Sequence, residues 1–364
     1  MPPRVLIVAP SLRILGGQAV QAASLRERLR EAGVSVDFLE VNPLLPGIFG
    51  ELQKIKYVRT VLTEAAYITS LLLRVPKYDV LHIFSSSFSS FLIAPTPAIL
   101  IGRLYGKRTL LNYRSGHLEN HLKKWRTAVP TLQMTDRIVV PSGYLVDVFA
   151  KFHLRAWPIF NIVDTSRFQF RLRNPLRPVF LSNRNLEPIY NVGCTLKAFA
   201  LVQRQFPESS LTIAGDGSER AALESQVAEL RLQNVRFLGR VEHSRMHELY
   251  GQTDLYLNSS VVDNMPVSII EAYASGTPLV TSDAGGIPYI VSHEETGLMV
   301  PQNNPLAMAE AALRYLTEPG LAERVTLNGF RECQNYQWPA VREQWISMYR
   351  DTYHGTSSGT TTST

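Results

Sequence analysis

Residues 263–276, Asp263-Asn-Met-Pro-Val-Ser-Ile-Ile-Glu271-Ala-Tyr-Ala-Ser-Gly276, lie between two short apolar runs, Leu255–Leu257 and Leu279–Thr281. Short runs of this composition predict strands, and the stretch between them predicts a helix over Pro266–Ala274. Pro266 suits the first helical turn, where its missing N–H is no loss. A strand, a helix and a second strand in this order form the repeating unit of a parallel sheet wrapped in helices.

The same alternation runs outward in both directions. Upstream, strands are predicted at Val5–Val8, Val34–Phe38, Val80–Phe84, Thr109–Leu111 and Arg137–Val140, with helices at Ala19–Arg30, Leu52–Leu73 and Gly143–Lys151. A second series has strands at Val179–Leu181, Leu211–Ala214, Val235–Phe237 and Leu298–Val300 besides the two already named. Its helices are Gly193–Gln205, Ser218–Leu230, Arg245–Tyr250 and Pro305–Leu316. At 364 residues the chain is long enough for two domains, each with its own core. The expectation is an α/β protein with a Rossmann-like domain over 1–170, a linker at 171–178 and a second Rossmann-like domain over 179–335. A helix over 336–353 is expected to return to the first domain, and 354–364 form a small, polar, disordered tail. The linker is placed where Asn174, Pro175 and Pro178 break regular structure and the repeated arginines point to the surface. Ligands bind outside the carboxyl ends of parallel strands, so two facing doubly wound sheets are expected to hold a ligand in the cleft between them.

Charge divides the chain. Residues 1–178 hold 24 Lys and Arg against 11 Asp and Glu, whereas residues 179–364 hold 13 against 20. This asymmetry predicts an anionic partner for the first half, or a set of solvated helix faces. No nucleic-acid-binding signature accompanies the basic residues, and an anionic membrane surface near Lys123, Lys124 and Arg126 is the expected partner. No apolar run is long enough for a membrane span or a signal peptide, so a cytoplasmic protein, peripheral on the cytoplasmic membrane face, is expected. Cys194 and Cys333 stand in no metal-ligand or redox spacing and are expected to be buried and inert.

Within 263–276, Asp263 either caps the helix or binds a ligand, and Glu271 lies on a solvated face or in a site. Its neighbours Ile269, Ile270, Ala272 and Ala274 favour the site. This segment resembles the acidic-x7-Glu motif of glycosyltransferase family 4, with Asp263 where that family usually has Glu. Other segments resemble the family in order: Gly16-Gly17 its first glycine loop, Asp136–Ser142 its "aD-ivv-S", and Asn161–Phe168 its "NGvD-rF", with Ile162 in place of Gly. Leu211–Gly217 (LTIAGDG), Val235–Gly239 and Ser282–Pro288 follow, the last resembling its "s-GG-p" loop.

The resemblance covers nearly the whole chain and implies a GT-B type fold, two Rossmann-like domains facing each other across a cleft. It also implies retaining transfer from a nucleotide diphosphate sugar, UDP-sugar by default, to a lipid-linked or glycan acceptor, with no cofactor and no tightly bound metal. Glu271 would hold the ribose hydroxyls and Asp263 a donor-sugar hydroxyl. Gly16, Gly17, Arg184, Tyr190, Gly215, Gly239, Asn264, Met265, Pro266 and Val267 would complete the donor site. Carboxylates accept paired hydroxyls well, and free amides at a helix start attract phosphate.

Two positions depart from the family pattern. Its phosphate-binding "R-x-L-x-x-x-K-G" is here Arg184-Asn-Leu186-Glu-Pro-Ile-Tyr190-Asn191, so the lysine is Tyr190. Its histidine after an N-terminal strand is Arg114, with His117 three residues later. Arg114 would then either supply the missing cation or pair with Glu119. His82 matches a frequent family position, although a lone histidine at a strand end is more often structural. A dehydrogenase is excluded because Gly215-Asp-Gly217-Ser-Glu-Arg220 lacks the third small residue of a dinucleotide fingerprint. A catalytically inert GT-B subunit that binds nucleotide-sugar or activates a partner is the remaining rival.

Overall fold

A computed structural model describes residues 2–13 and 17–355. The described residues form two compact units, one of residues 2–13, 17–162 and 338–355 and the other of residues 163–337. Each contains a six-stranded, all-parallel sheet.

In unit 1 the strands are β1 (Val5–Ala9), β2 (Val36–Glu40), β3 (Val80–Ser85), β4 (Arg108–Tyr113), β5 (Arg137–Val140) and β6 (Trp157–Pro158), in the order β2-β1-β3-β4-β5-β6. Its helices are α1 (Gly17–Glu31), α2 (Gly47–Leu52), α3 (Lys56–Arg74), α4 (Ser89–Ile93), α5 (Pro95–Leu104), α6 (Leu118–Lys124), α7 (Ala128–Gln133) and α8 (Gly143–Ala150). The side chains of β1 alternate between two cores, as a strand's period of two requires. Leu6 and Val8 join Tyr67, Leu71 and Ile99 on one face, whereas Val5, Ile7 and Ala9 join Leu25 and Leu29 of α1 on the other. That second face is also covered by Val341, Trp345 and Tyr349 of the last helix of the chain, Trp338–His354.

The helix expected over Leu52–Leu73 is present as α3, and a short separate helix, α2, ends at Leu52 just before it. Gln53 explains the break: its buried side chain accepts from Leu45 N at 3.0 Å and donates to Pro43 O and Thr63 Oγ1 at 3.1 and 3.0 Å. Strand β6 has only two residues, too few for a periodic signal, and Arg137 and Arg155 stack over its Trp157 at 4.5 and 4.8 Å.

Unit 2 contains β7 (Val179–Ser182), β8 (Ser210–Ala214), β9 (Val235–Gly239), β10 (Leu255–Asn258), β11 (Leu279–Ser282) and β12 (Leu298–Val300), ordered β12-β11-β10-β7-β8-β9. Its helices are α9 (Val192–Gln205), α10 (Arg220–Glu229), α11 (Met246–Gln252), α12 (Val267–Ala274), α13 (Pro305–Thr317) and α14 (Leu321–Cys333); the last helix of the chain is α15. Strand order reverses between β7 and β10, which are neighbours in the sheet although far apart in sequence. Loops leaving such a pair diverge and leave a crevice at the carboxyl ends of the strands. Cys194 and Cys333 are buried free thiols.

The stretch expected to be a surface linker, 171–178, belongs to unit 2, which begins at Val163. Phe170 packs on Phe330 at 4.3 Å, and Arg173 is 7% exposed. Arg173 donates to the carbonyls of Tyr250, Thr253, Ser275 and Gly276 at 2.5–2.8 Å and to Arg171 O at 2.8 Å. These oxygens lie at the carboxyl ends of α11 and α12, where carbonyls lack intrahelical partners, so the arginine is buried because it caps two helices at once. The buried Asp254 carboxylate accepts from Arg171 and Arg177 beside it. Residues 356–364 of the expected tail lie outside the described residues, and α15 extends to His354.

Candidate functional site

The loops after β7 and β10 carry the site of unit 2. Asn183 and Arg184 follow β7, and Asp263 through Pro266 lead into α12. Pro266 occupies the position just before the helix rather than its first turn, with an extended backbone, φ −67° and ψ 114°. The Asp263 loop is held by Gly285 and Gly286. Gly286 N donates to Asp263 O at 2.8 Å, and a Cβ on either glycine would overlap the carbonyl of Asp263 or Asn264. Gly285 also has φ +52°, a conformation that side chains disfavour.

Asp263 does not cap α12. One carboxylate oxygen accepts from Asn264 N at 2.9 Å and the other from the Arg184 guanidinium. Arg184 also reaches Ser268 Oγ at 3.3 Å, and its guanidinium carbon lies 4.3 Å from the centre of the Tyr190 ring. Burial raises the Asp263 carboxyl above its usual range, and the neighbouring guanidinium only partly opposes that shift. Arg184 Nε is buried with no hydrogen-bond partner among the described residues, and so is Asn183 Oδ1.

Glu271, on the second turn of α12, is 3% exposed, which rules out a solvated face. Burial raises its carboxyl above the usual range, against the attraction of His243, whose Nδ1 lies 3.4 Å away. Asn183 Nδ2 approaches it at 3.5 Å and donates to Tyr250 Oη at 3.0 Å. Tyr250 in turn donates to Ser268 O at 2.7 Å. Asn183, His243, Tyr250 and Ser268 were not predicted: they come from four elements, and although Ser268 lies within the Asp263–Glu271 segment, the other three stand in no motif. Gly215 packs against Arg184, since a Cβ there would overlap the Arg184 carbonyl, and its amide donates to Gly239 O at 2.9 Å. The structure thus gathers Arg184, Tyr190, Gly215, Asn264, Met265, Pro266, Val267, Asp263 and Glu271 at the carboxyl ends of the central strands of unit 2.

The remaining predicted residues are in unit 1. Gly17 opens α1 and is exposed, and Gly16 lies outside the described residues. Arg114 follows β4 but does not pair with Glu119. Its guanidinium donates to Asn161 Oδ1 and lies 5.5 Å from the Phe84 ring centre. Glu119 is taken instead by Lys123 and Lys151, at 2.7 and 3.4 Å. Burial lowers Arg114 to about 10, which leaves it charged at neutral pH. His117 is exposed near Phe88. His82 is buried, with Nδ1 2.8 Å from Tyr349 Oη and Nε2 3.1 Å from Asn112 Nδ2. Because the amide nitrogen can only donate, Nε2 accepts and the ring proton sits on Nδ1, so His82 joins the sheet to α15.

Residues 164–332 match the family "Glycosyl transferases group 1". That span lies within unit 2 and carries Arg184, Asp263 and Glu271. Among curated relatives, a glycogen synthase of Mycobacterium tuberculosis is 31% identical over 193 residues, covering 52% of this chain and 47% of the relative. A phosphatidyl-myo-inositol mannosyltransferase of Mycobacterium leprae is 29% identical over 174 residues, covering 48% and 46%. The chain spans about half the length of these relatives. Among solved structures, sucrose-phosphate synthase from Thermosynechococcus elongatus superposes with a TM-score of 0.78 at 20% identity, covering 97% of this chain and 100% of that one. Anabaena HepE in complex with UDP gives 0.73 at 15%, covering 96% and 100%. The fold is of the GT-B type.

Proposed function

We propose that the protein is a glycosyltransferase of family 4 type that moves a sugar, with retention, from a nucleotide diphosphate sugar to a lipid-linked or glycan acceptor. The observation that carries this reading is the site at the β7/β10 reversal, where the buried Glu271 and the largely buried Asp263 lie close to the Arg184 guanidinium, whose Nε is buried with no hydrogen-bond partner among the described residues. Groups held buried at such a cost in desolvation are better explained by a polar ligand than by stability. In this reading Glu271 accepts the ribose hydroxyls. Arg184 and the first amides of α12 face the diphosphate, whose oxygens compete for the guanidinium and free Asp263 to accept a donor-sugar hydroxyl. One cation at ~4 Å from the leaving diphosphate contributes about 4 kcal/mol at an effective dielectric of ~20, before desolvation is subtracted. Arg114 and His117 are the candidate unit 1 contributors. UDP is the default nucleotide, and HepE, which shares the fold, has been solved with UDP and with UDP-glucose.

The reading assigns no role to a metal ion, an expectation that donor hydrolysis in EDTA tests. A panel of UDP-, GDP- and ADP-sugars tests the proposal by thermal stabilisation and slow donor hydrolysis, with and without EDTA. A UDP-sugar should stabilise the protein and be hydrolysed in EDTA, and Glu271→Ala should abolish both effects. Stabilisation without sugar release would favour the inert subunit, and no response to any donor would reject the site.

A further inference from the structure

Unit 1 leaves a set of large apolar side chains uncovered along α2 and α3. Ile48 is 72% exposed, Phe49 54%, Ile55 54%, Tyr57 78% and Val61 69%. On α3, Tyr57, Val61, Ala65 and Leu72 follow one another at helical spacing and are exposed, whereas Tyr67 and Leu71 are buried. On α5, which packs against α3, Leu104 is also 73% exposed. Scattered exposed apolar residues are ordinary, but a run of this length marks an interaction surface.

The charges around the stripe select the partner. Residues 44–107 hold seven Lys and Arg against three Asp and Glu. Of the three carboxylates, Asp79 is bound by Arg4 and Glu51 by Lys54, and burial raises the Glu64 carboxyl above its usual range. Lys56 and Arg59 stand beside Tyr57 and Val61. A two-fold contact between copies would set this basic rim against itself. An anionic bilayer takes the apolar stripe into its interface and neutralises the rim. No helix among the described residues is long and apolar enough to cross a membrane.

We propose that the α2–α3 face of unit 1 docks reversibly on an anionic lipid bilayer, with Ile48, Phe49 and Tyr57 at the apolar boundary and Lys56 and Arg59 on the headgroups. This deepens the acceptor side of the reading above by assigning a surface to lipid. It is an alternative to the contact expected at Lys123, Lys124 and Arg126, and the variants below separate the two.

Vesicle flotation of the full chain tests the assignment and needs no sugar. The protein should float with vesicles of phosphatidylcholine and phosphatidylglycerol in equal parts at low salt, and be released as salt rises. Lys56→Gln and Arg59→Gln should each weaken partitioning about fivefold. Ile48→Ser with Tyr57→Ser should abolish flotation with Tm unchanged, whereas Lys123→Gln with Arg126→Gln should have little effect. Equal binding to phosphatidylcholine alone, no flotation, or loss only in the Lys123/Arg126 variant would overturn it. So would a dimer in sedimentation that Ile48→Ser with Tyr57→Ser dissociates. Because no donor enters the assay, its failure is distinct from failure of the glycosyltransferase reading.

Discussion

The Arg184 guanidinium lies 4.3 Å from the centre of the Tyr190 ring, and Tyr190 occupies the position where the family pattern has lysine. The ring therefore orients the remaining cation instead of adding a second one. A partly desolvated cation–π contact is worth about 1 kcal/mol, so Tyr190→Leu should weaken UDP binding about fivefold. Tyr190→Lys, which restores a positive charge for the diphosphate, should bind UDP more tightly than Tyr190→Leu. Titration calorimetry reads both, and equal affinities for the two variants would dissociate Tyr190 from the phosphate site.

The two carboxylates can be tested separately. Asp263→Asn removes the carboxylate that accepts from the Arg184 guanidinium and should lower kcat. Glu271→Gln tests the cost of burial. The folded state raises this carboxyl, so ionised Glu271 opposes folding above its unfolded pKa, and the glutamine should raise Tm at neutral pH while removing donor stabilisation. The gain in Tm should shrink as pH falls and vanish below ~4.5, where the carboxyl is protonated in both states. An unchanged or lower Tm for Glu271→Gln at pH 7 would contradict the burial argument.

Arg173 should matter far beyond its charge. Its five carbonyl partners include both helix ends behind the site, so Arg173→Leu should destabilise unit 2 by more than about 3 kcal/mol. Arg173→Lys should recover little, because one ammonium cannot reproduce the guanidinium fork. Calorimetry of the full chain should show one transition lowered and the other retained; a loss below 1 kcal/mol would mean that water replaces the arginine.

Acid should destabilise unit 1 through two histidines. Burial lowers His82 to about 3 and His121 to about 4, against 6.5 in the unfolded chain. Their contribution is complete above pH 6.5 and is lost as pH falls, because only the unfolded chain binds these protons. Each histidine should contribute a slope of about 1.4 kcal/mol per pH unit between pH ~6 and ~4. Denaturant melts across that range should flatten by about half in His82→Gln, and an unaltered slope would show that His82 is protonated in the folded state.

Much of the fold was legible because its signals are local. Runs such as Val5–Ala9 and Leu255–Asn258 announce strands buried on both faces, and the apolar stretch after Pro266 announces a buried helix. Asp263 and Glu271 were legible for the same reason, eight residues apart on one turn and helix. Sequence proximity misled at Arg114 and Glu119: Glu119 faces Lys123 one helical turn on, while Arg114 finds Asn161 from a distant segment. It misled again at 171–178, where repeated arginines looked solvated although Arg173 is buried.

By itself, then, the sequence determined the alternation of strands and helices, the division into two units' worth of chain, and the carboxylate pair, all set by backbone periodicity over a few residues. Tertiary structure alone decided that β7 lies beside β10, and with it that Arg184 meets Asp263 and that Asn183 and His243 surround Glu271. Which charge neutralises which is a matter of distances across a sheet, between residues 28 to 88 positions apart, where no local propensity carries the information.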